Sequence, residues 1–435
     1  MNTTLITRTA LGALLVALLM ILPGSAIAQI AEQAPLPEQR QVRSVTLDEA
    51  VGLLGANLSL HLARLEAAEA KGVARQSNAY PNPTITATYE SLDKVGAGGT
   101  ESYLTLSQRL EWPGARSARL AAAREDAVAA QTRVAADSAL LVFHVKRAYV
   151  QATRADRYAE ILERATTIFR QAVASAGERY EEGDVSLYDV RRIEVERVRY
   201  EASLADARFE VSSARRELAL LLAPETDDLQ LVPASAPLGT PPAVDLDSLP
   251  LLALGRRPEI AVAEAQIRSA QAEASGFRAQ RLPNLTATGG FVRQSNGRSG
   301  PFLGVSFPLP LWNHSNGAIG AADVRVAEEE AILALTRRQV RNDVSSALEA
   351  YRSQVDRAAL FSDEGGLPTT DLLAIAQVAY DAGEMELIEL LDAAEAFSDA
   401  ESAVVRIQSD LWIRYYDLER AIGGFGNLTA VEDDQ

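Results

Sequence analysis

Three histidines, His61, His144 and His314, are the first candidates for metal binding or general-base chemistry, but each stands alone. With no cysteine and three methionines, no soft-metal ligand cluster can be assembled around them. No nucleophile is spaced with a base, and no phosphate-binding loop is present. The sequence therefore predicts no enzyme, no resident metal and no cofactor. What remains is carboxylate chemistry. Glu389 and Asp392 stand three apart, hence on one helix face. A pair like this attracts cations without holding them, which suits a site that must release what it binds; ordinary solvated helix charges are the alternative. The pair lies in a motif that occurs twice. One copy reads Tyr180-x-x-Gly183-x-x-x-Leu187-x-Asp189-Val190, the other Tyr380-x-x-Gly383-x-x-x-Leu387-x-Glu389-Leu390-Leu391-Asp392-Ala393. Gly183 and Gly383 fit the tight reversal of a helical hairpin, or simple helix C-caps.

The elements that must carry these motifs are themselves duplicated, with an offset of about 200 residues. Leu-Thr-Leu-Ser at 104–107 aligns with Leu-Gly-Val-Ser at 303–306, and Pro81-Asn82 with Pro283-Asn284. The division expected is a first repeat over 46–223, a Pro-rich irregular connector over 224–256, a second repeat over 257–423 and an acidic tail over 424–435. Each repeat reads helix, two strands, long helix, helix. In the first, a helix over Leu47–Ala79, capped by Thr46 or Asp48, ends before Pro81. Alternating strands follow over Thr84–Leu92 and Ser102–Trp112, joined by a Gly-rich loop at 95–100. The second repeat places strands at Leu285–Gln294 and Phe302–Leu311 around a loop at 295–300. Strands of about ten residues, apolar on one side, have the length and pattern of a transmembrane β-barrel wall. Trp112-Pro113-Gly114 and Pro308-Leu309-Pro310-Leu311-Trp312 mark where the ladders must stop, because proline has no N–H to donate.

Beyond the first hairpin no proline or glycine interrupts Ala115 to about Gly177, a helix of roughly 95 Å. Leu141, Val145, Ala148, Ala152, Leu162, Thr166 and Phe169 keep a 4-3 spacing along it. The returning helix repeats it with Leu204, Ala207, Val211, Ala214 and Leu218, and the second repeat with Leu390, Ala394, Phe397, Leu411, Leu418 and Ile422. This period makes helices supercoil around neighbours. Helices so long exclude a compact globule and require a rod or tube. In each repeat the two shorter helices, stacked end to end, match the long one.

Residues 1–28 carry Arg8, an apolar run from Ala10 to Leu22 and Ala26-Ile27-Ala28, the pattern of a cleaved secretory signal. An extended segment over 29–45 follows, and without cysteine an N-terminal lipid on that residue is excluded. The net charge of −17 argues against nucleic acid and anionic membrane surfaces.

Taken together, the paired tip motifs, the hairpins and the long helices resemble the TolC-type outer-membrane efflux channels, over essentially the whole mature chain. The resemblance implies a mostly helical fold with a small transmembrane barrel. A homotrimer would give four strands per subunit to a twelve-stranded barrel in outer-membrane lipid, continued by an α-helical tunnel across the periplasm. It implies a passive exit duct engaged by a periplasmic adaptor at the tip turns (Gly183, Leu187, Gly383, Leu387) and by an inner-membrane, proton-driven transporter. Glu389 and Asp392 match pore-facing acidic positions, so that six carboxylates from a trimer would ring the gate and favour cations. Tyr380 and Asp189 match gate-latch positions, while Met385 stands where some members carry Arg. Glu111-Trp112-Pro113-Gly114 and the Pro308–Trp312 corner look most like the cobalt-zinc-cadmium branch. Drug export, protein secretion and a purely structural periplasmic coiled coil are the alternatives.

Overall fold

The computed structural model describes residues 41–92, 99–222, 229–234, 241–242, 246, 249–281, 284–312, 314–362 and 369–424. The signal segment, most of 29–45, residues 95–98 of the expected 95–100 loop and the tail beyond Gly424 lie outside them; residues 99 and 100 belong to a strand.

The described chain begins with β1 (Gln41–Val45), α1 (Leu47–Leu53) and α2 (Leu58–Ser77). Thr46 caps α1 through a capping box with Glu49. The single helix expected over Leu47–Ala79 is thus two helices. Asn57, whose side chain accepts from the N–H groups of Ser59 and Leu60, starts α2 afresh after a short 3-10 turn.

Strands β2 (Thr84–Leu92) and β3 (Gly99–Leu110) lead into α3 (Pro113–Glu182), whose 70 residues span about 105 Å. The returning helix is α4 (Leu187–Leu222). The connector is less irregular than expected. It contains β4 (Leu229–Pro233), which pairs in parallel with β1, and α5 (Leu249–Arg256). Buried Tyr149 on α3 secures that small sheet, its hydroxyl 3.0 Å from the Val45 carbonyl and 2.7 Å from that of Ala234.

The second half repeats the order with α6 (Pro258–Ala279), β5 (Leu285–Gln294), β6 (Ser299–Ser306), α7 (Asn316–Ser362), α8 (Thr369–Asp381) and α9 (Leu387–Ala421). Here the long helix is two elements, α7 and α8. Strand β6 stops at Ser306 rather than Leu311, because Pro308 and Pro310 have no N–H for the ladder.

The four long strands form one antiparallel sheet in the order β2-β3-β5-β6, leaving β2 and β6 as free edges. Ile85, Leu104, Leu106, Phe291, Leu303 and Val305 fall on one face, and all are exposed, Leu303 to 91 %. Thr86, Thr88, Thr105, Ser107 and Thr288 fall on the other. Among the described residues no helix is long and apolar enough to cross a membrane.

Below the sheet the helices keep the order of the strands. α2 and then α4 run beside α3; α6 and then α9 run between α3 and α7. The result is a single layer of four rods. Its packing is Ala-rich, with Ala148, Ala152 and Ala165 on α3 buried among Val145, Leu162 and Phe169. Glu401 of α9, between Phe397 and Leu411 in the apolar row, is answered by Arg164 of α3, 3.9 Å away.

Two splices hold the stacked helices together, and they too are duplicates. Asn57, at the start of α2, donates through Nδ2 to the Leu221 carbonyl near the end of α4, at 2.7 Å. Arg257, at the start of α6, donates through Nη1 to the carbonyls of Arg420 and Ala421 near the end of α9, at 3.0 and 3.3 Å. In both cases a helix-start side chain satisfies carbonyls that a helix end leaves unpaired.

Candidate functional site

The distal end of the layer consists of two helical hairpins. α3 ends with Gly183 in the left-handed region, φ 87°. The Gly183 N–H bonds back to the Tyr180 carbonyl at 3.1 Å and the Asp184 N–H to that of Arg179 at 2.9 Å. α8 ends the same way: Gly383 has φ 76°, and Gly383 and Glu384 donate to Tyr380 and Ala379 at 3.0 and 2.9 Å. This double closure ends a helix and needs a residue without a Cβ penalty at the left-handed position.

Each return helix restarts with a reciprocal cap. The Asp189 carboxylate accepts from the Ser186 N–H at 3.2 Å and from its hydroxyl at 2.7 Å, while Ser186 Oγ accepts from the Asp189 N–H. In the second hairpin the Glu386 N–H donates to Glu389 Oε2 at 2.9 Å, and the Glu386 side chain returns the bond. Asp189 and Glu389 therefore hold equivalent positions and do the same local work. The sequence reading, which gave them different roles, missed this equivalence. Its signal was the 200-residue offset between Asp189 and Glu389, read together with a capping residue three positions earlier.

Beyond the caps the hairpins diverge in charge. Glu389, Asp392, Glu395 and Asp399 lie along the exposed side of α9. At the positions matching Asp392 and Asp399, α4 carries Arg192 and Arg199, both exposed. The acidic line of α9 thus has no copy on α4, where Arg192 and Arg199 stand among carboxylates, a difference visible once the copies are aligned.

Tyr380 and its counterpart Tyr180 also differ. Tyr380 is fully buried beside Phe169, Leu390 and Ala394, whereas Tyr180 is exposed. Burial pushes the Tyr380 phenol up, the Arg179 guanidinium 5.4 Å from the ring centroid pulls it down, and the Asp189 carboxylate pushes it up again. The structure thus brings Tyr380 and Asp189 into electrostatic reach, while Asp189 spends its hydrogen bonds on Ser186. Leu187 is exposed; Leu387 and Met385 are half-buried against the distal core. The core is completed by the Phe169–Tyr200 ring stack, centroids 4.5 Å apart.

Among the described residues no group of three or more His, Asp or Glu could hold a metal ion. What the tip offers is a weak, one-sided acidic surface on a closed helical hairpin, below a sheet with one lipid-ready face.

A duplicated strand-hairpin sheet that continues into a layer of long helices defines the outer-membrane efflux channels, and the chain belongs to this family. The family description, "Outer membrane efflux protein", matches residues 51–223 and 249–424. The chain is 24% identical to the cobalt-zinc-cadmium resistance protein CzcC of Cupriavidus metallidurans, across 92% of this chain and 96% of that protein. It is 23% identical to the probable outer membrane lipoprotein SilC of Salmonella typhimurium, across 85% and 84%. Among solved structures it resembles CusC with a TM-score of 0.72 at 18% identity, covering 87% of this chain and 92% of that one. The protein is an outer-membrane efflux channel with the fold of that family.

Proposed function

We propose that three copies of this chain assemble into a passive exit duct for divalent heavy-metal cations. The observation that carries this reading is the four-stranded sheet, with its exposed apolar face and two unpaired edges. Open edges and an uncovered apolar face are costly in water. Three sheets joined edge to edge would close a barrel of twelve strands and place that face in lipid. The helical layers would then form the tunnel beneath, crossing the periplasm. Energy comes from outside the chain: an inner-membrane, proton-driven transporter would load the duct through a periplasmic adaptor seated on the tip turns at Gly183, Leu187, Gly383 and Leu387.

The similarity to CzcC supports a metal substrate, as does the acidic line on α9. In the trimer, Glu389 and Asp392 would ring the narrow end and favour cations over anions. Tyr380 and Asp189 would latch the closed state, with Met385 contributing packing rather than an ion pair. In planar bilayers, Glu389→Gln/Asp392→Asn should lose most of the parent's cation preference; unchanged reversal potentials in a salt gradient would remove the acidic ring.

A second reading is export of drugs or proteins through the same duct, since the sheet and the helical layer set the conduit and not its cargo. Growth of a deletion strain on zinc, cadmium, cobalt, nickel and copper salts beside hydrophobic drugs separates the two. Sensitivity to metals alone, reversed by the gene, supports the metal duct; sensitivity to drugs alone replaces it.

A further inference from the structure

On the polar face of the sheet, Phe302 of β6 lies over Gly290 of β5, where a Cβ would stand 2.6 Å from the ring. On the apolar face a small residue is left uncovered. Exposed Ala87 lies with Tyr89, Ser102, Leu104, Phe291 and Arg293 around a notch of about 380 Å³. At the end of the notch away from the helices, the strand register sets Tyr89, Ser102, Arg293 and Ser299 side by side in one row. Antiparallel partners share a face, and all four residues are exposed. One guanidinium and three hydroxyls thus stand within three strand spacings, about 14 Å. Arg293 is the one charged residue on this face of the described strands, and it has no carboxylate partner among the described residues. Glu90 and Glu101, the carboxylates at this end, stand opposite each other on the polar face. Arg293 is eight positions from Leu285 at the helix end of β5, about 27 Å along the strand. At the tilt of a barrel strand that is about 20 Å of height, close to the outer margin of an apolar band ~25 Å tall. A charge is tolerated on the lipid face there, whereas at mid-depth it is costly.

We propose that this row and notch seat a phosphorylated glycolipid of the outer leaflet, its phosphate on Arg293 and one acyl chain over Ala87. The proposal rests on the barrel reading, which turns the apolar face to lipid. This end of the sheet lies opposite the helical tunnel, so the leaflet it meets is the outer one. A guanidinium offers two parallel N–H groups to a phosphate, and the flanking hydroxyls supply donors for its remaining oxygens and partners for sugar hydroxyls. A phosphate monoester carries close to two negative charges at neutral pH. A phospholipid with an ammonium beside its phosphate brings its own counter-charge and gains less from Arg293. The competing role is a snorkelling arginine whose head only meets water.

Native mass spectrometry of the detergent-extracted trimer, after mixing with defined lipids, tests the seat. Bisphosphorylated lipid A should be retained, and its dephosphorylated form and phosphatidylethanolamine about tenfold less. Arg293→Gln should lower lipid A retention about tenfold or more. Ala87→Leu, which fills the notch and leaves the charge, should lower it as well. Arg109→Gln, which removes an exposed arginine from the polar face at the other end of β3, should retain lipid A as the parent does. Parent-level retention in both Arg293→Gln and Ala87→Leu would overturn the seat. Equal retention of phosphatidylethanolamine and lipid A by the parent would overturn it too, because the apolar face would then be unselective. Monomers in the same spectra would overturn the barrel reading, and the seat with it.

Discussion

At the scale of single residues the two halves use the same positions with different chemistry. The splice at Asn57 is a neutral amide; the splice at Arg257 is a guanidinium buried to 8 % exposure that also reaches Glu259 at 3.0 Å and Asp343 at 3.5 Å. Removing a buried charge that satisfies carbonyls and carboxylates leaves all of them unpaired. Arg257→Met should therefore cost about 3 kcal/mol. Asn57→Ala, which loses one cap and one hydrogen bond, should cost about 1–2 kcal/mol. Thermal melts of the two variants in detergent should rank them in that order, and an Arg257→Met melt equal to the parent's would refute the splice.

Tyr149 makes a pH prediction. Burial pushes its phenol up to about 12. A raised pKa means that the folded state holds the proton more tightly than the unfolded chain, so this stabilisation is complete below pH ~10 and is lost as pH rises toward 12. Over that window stability should fall by about 1.4 kcal/mol per pH unit from this group. Tyr149→Phe should flatten the decline while costing roughly 1 kcal/mol at neutral pH. Melts between pH 8 and 11.5 would check both signs. None of these three residues could be singled out from sequence, because each acts on a carbonyl distant along the chain. The tip residues were easier: the doubled motif located Gly183, Gly383, Asp189 and Glu389. Which carboxylate caps, and which tyrosine is buried, needed the packed hairpins.

At the scale of elements the helices follow their apolar period and stop where capping chemistry says they should. Gly183 and Gly383 have open space around the missing Cβ, so only the backbone resists substitution. Each Gly→Ala should cost about 1 kcal/mol, and Gly→Asn much less, since Asn tolerates the left-handed region. Protease nicking at the tips, rising in the alanine variants and not in the asparagine ones, would confirm the backbone as the cause.

α4 bears a second apolar row, with Tyr188, Val195, Val198 and Phe209 exposed on the side away from α3. Spaced near 3.5 residues, such a row is a coiled-coil seam awaiting a partner. Val198→Glu should therefore prevent trimer formation and leave helical content intact; trimers of normal heat resistance would show that the seam faces solvent. The restart at Asn57 was harder to read than the helices, because it interrupts good periodicity without a proline; the division of α7 from α8 was legible, since Gly365-Gly366-Leu367-Pro368 stands between them.

For the whole molecule the open sheet dictates assembly, because β2 and β6 each leave one edge unpaired among the described residues. Paired cysteines on these two edges, placed on the polar face at positions such as Thr86 and Gly304, should form disulfides only between subunits. Denaturing gels without reductant would then show species of up to three linked chains. Intrachain disulfides would mean that the sheet closes on itself.

The sequence by itself determined the duplication, the one-sided strands, the long supercoiling helices and the turn glycines. All are written in periods of two to seven residues, or in direct repetition, and local backbone sterics and side-chain burial enforce them wherever the chain goes. Only the tertiary structure decided that β1 pairs with β4, that Asn57 and Arg257 splice stacked helices, that Tyr380 is buried where Tyr180 is exposed, and that Phe302 lies over Gly290. Those facts join residues far apart in the chain. Nothing in the spacing of either partner announces the other, and the contact exists only once the four rods and four strands are set side by side.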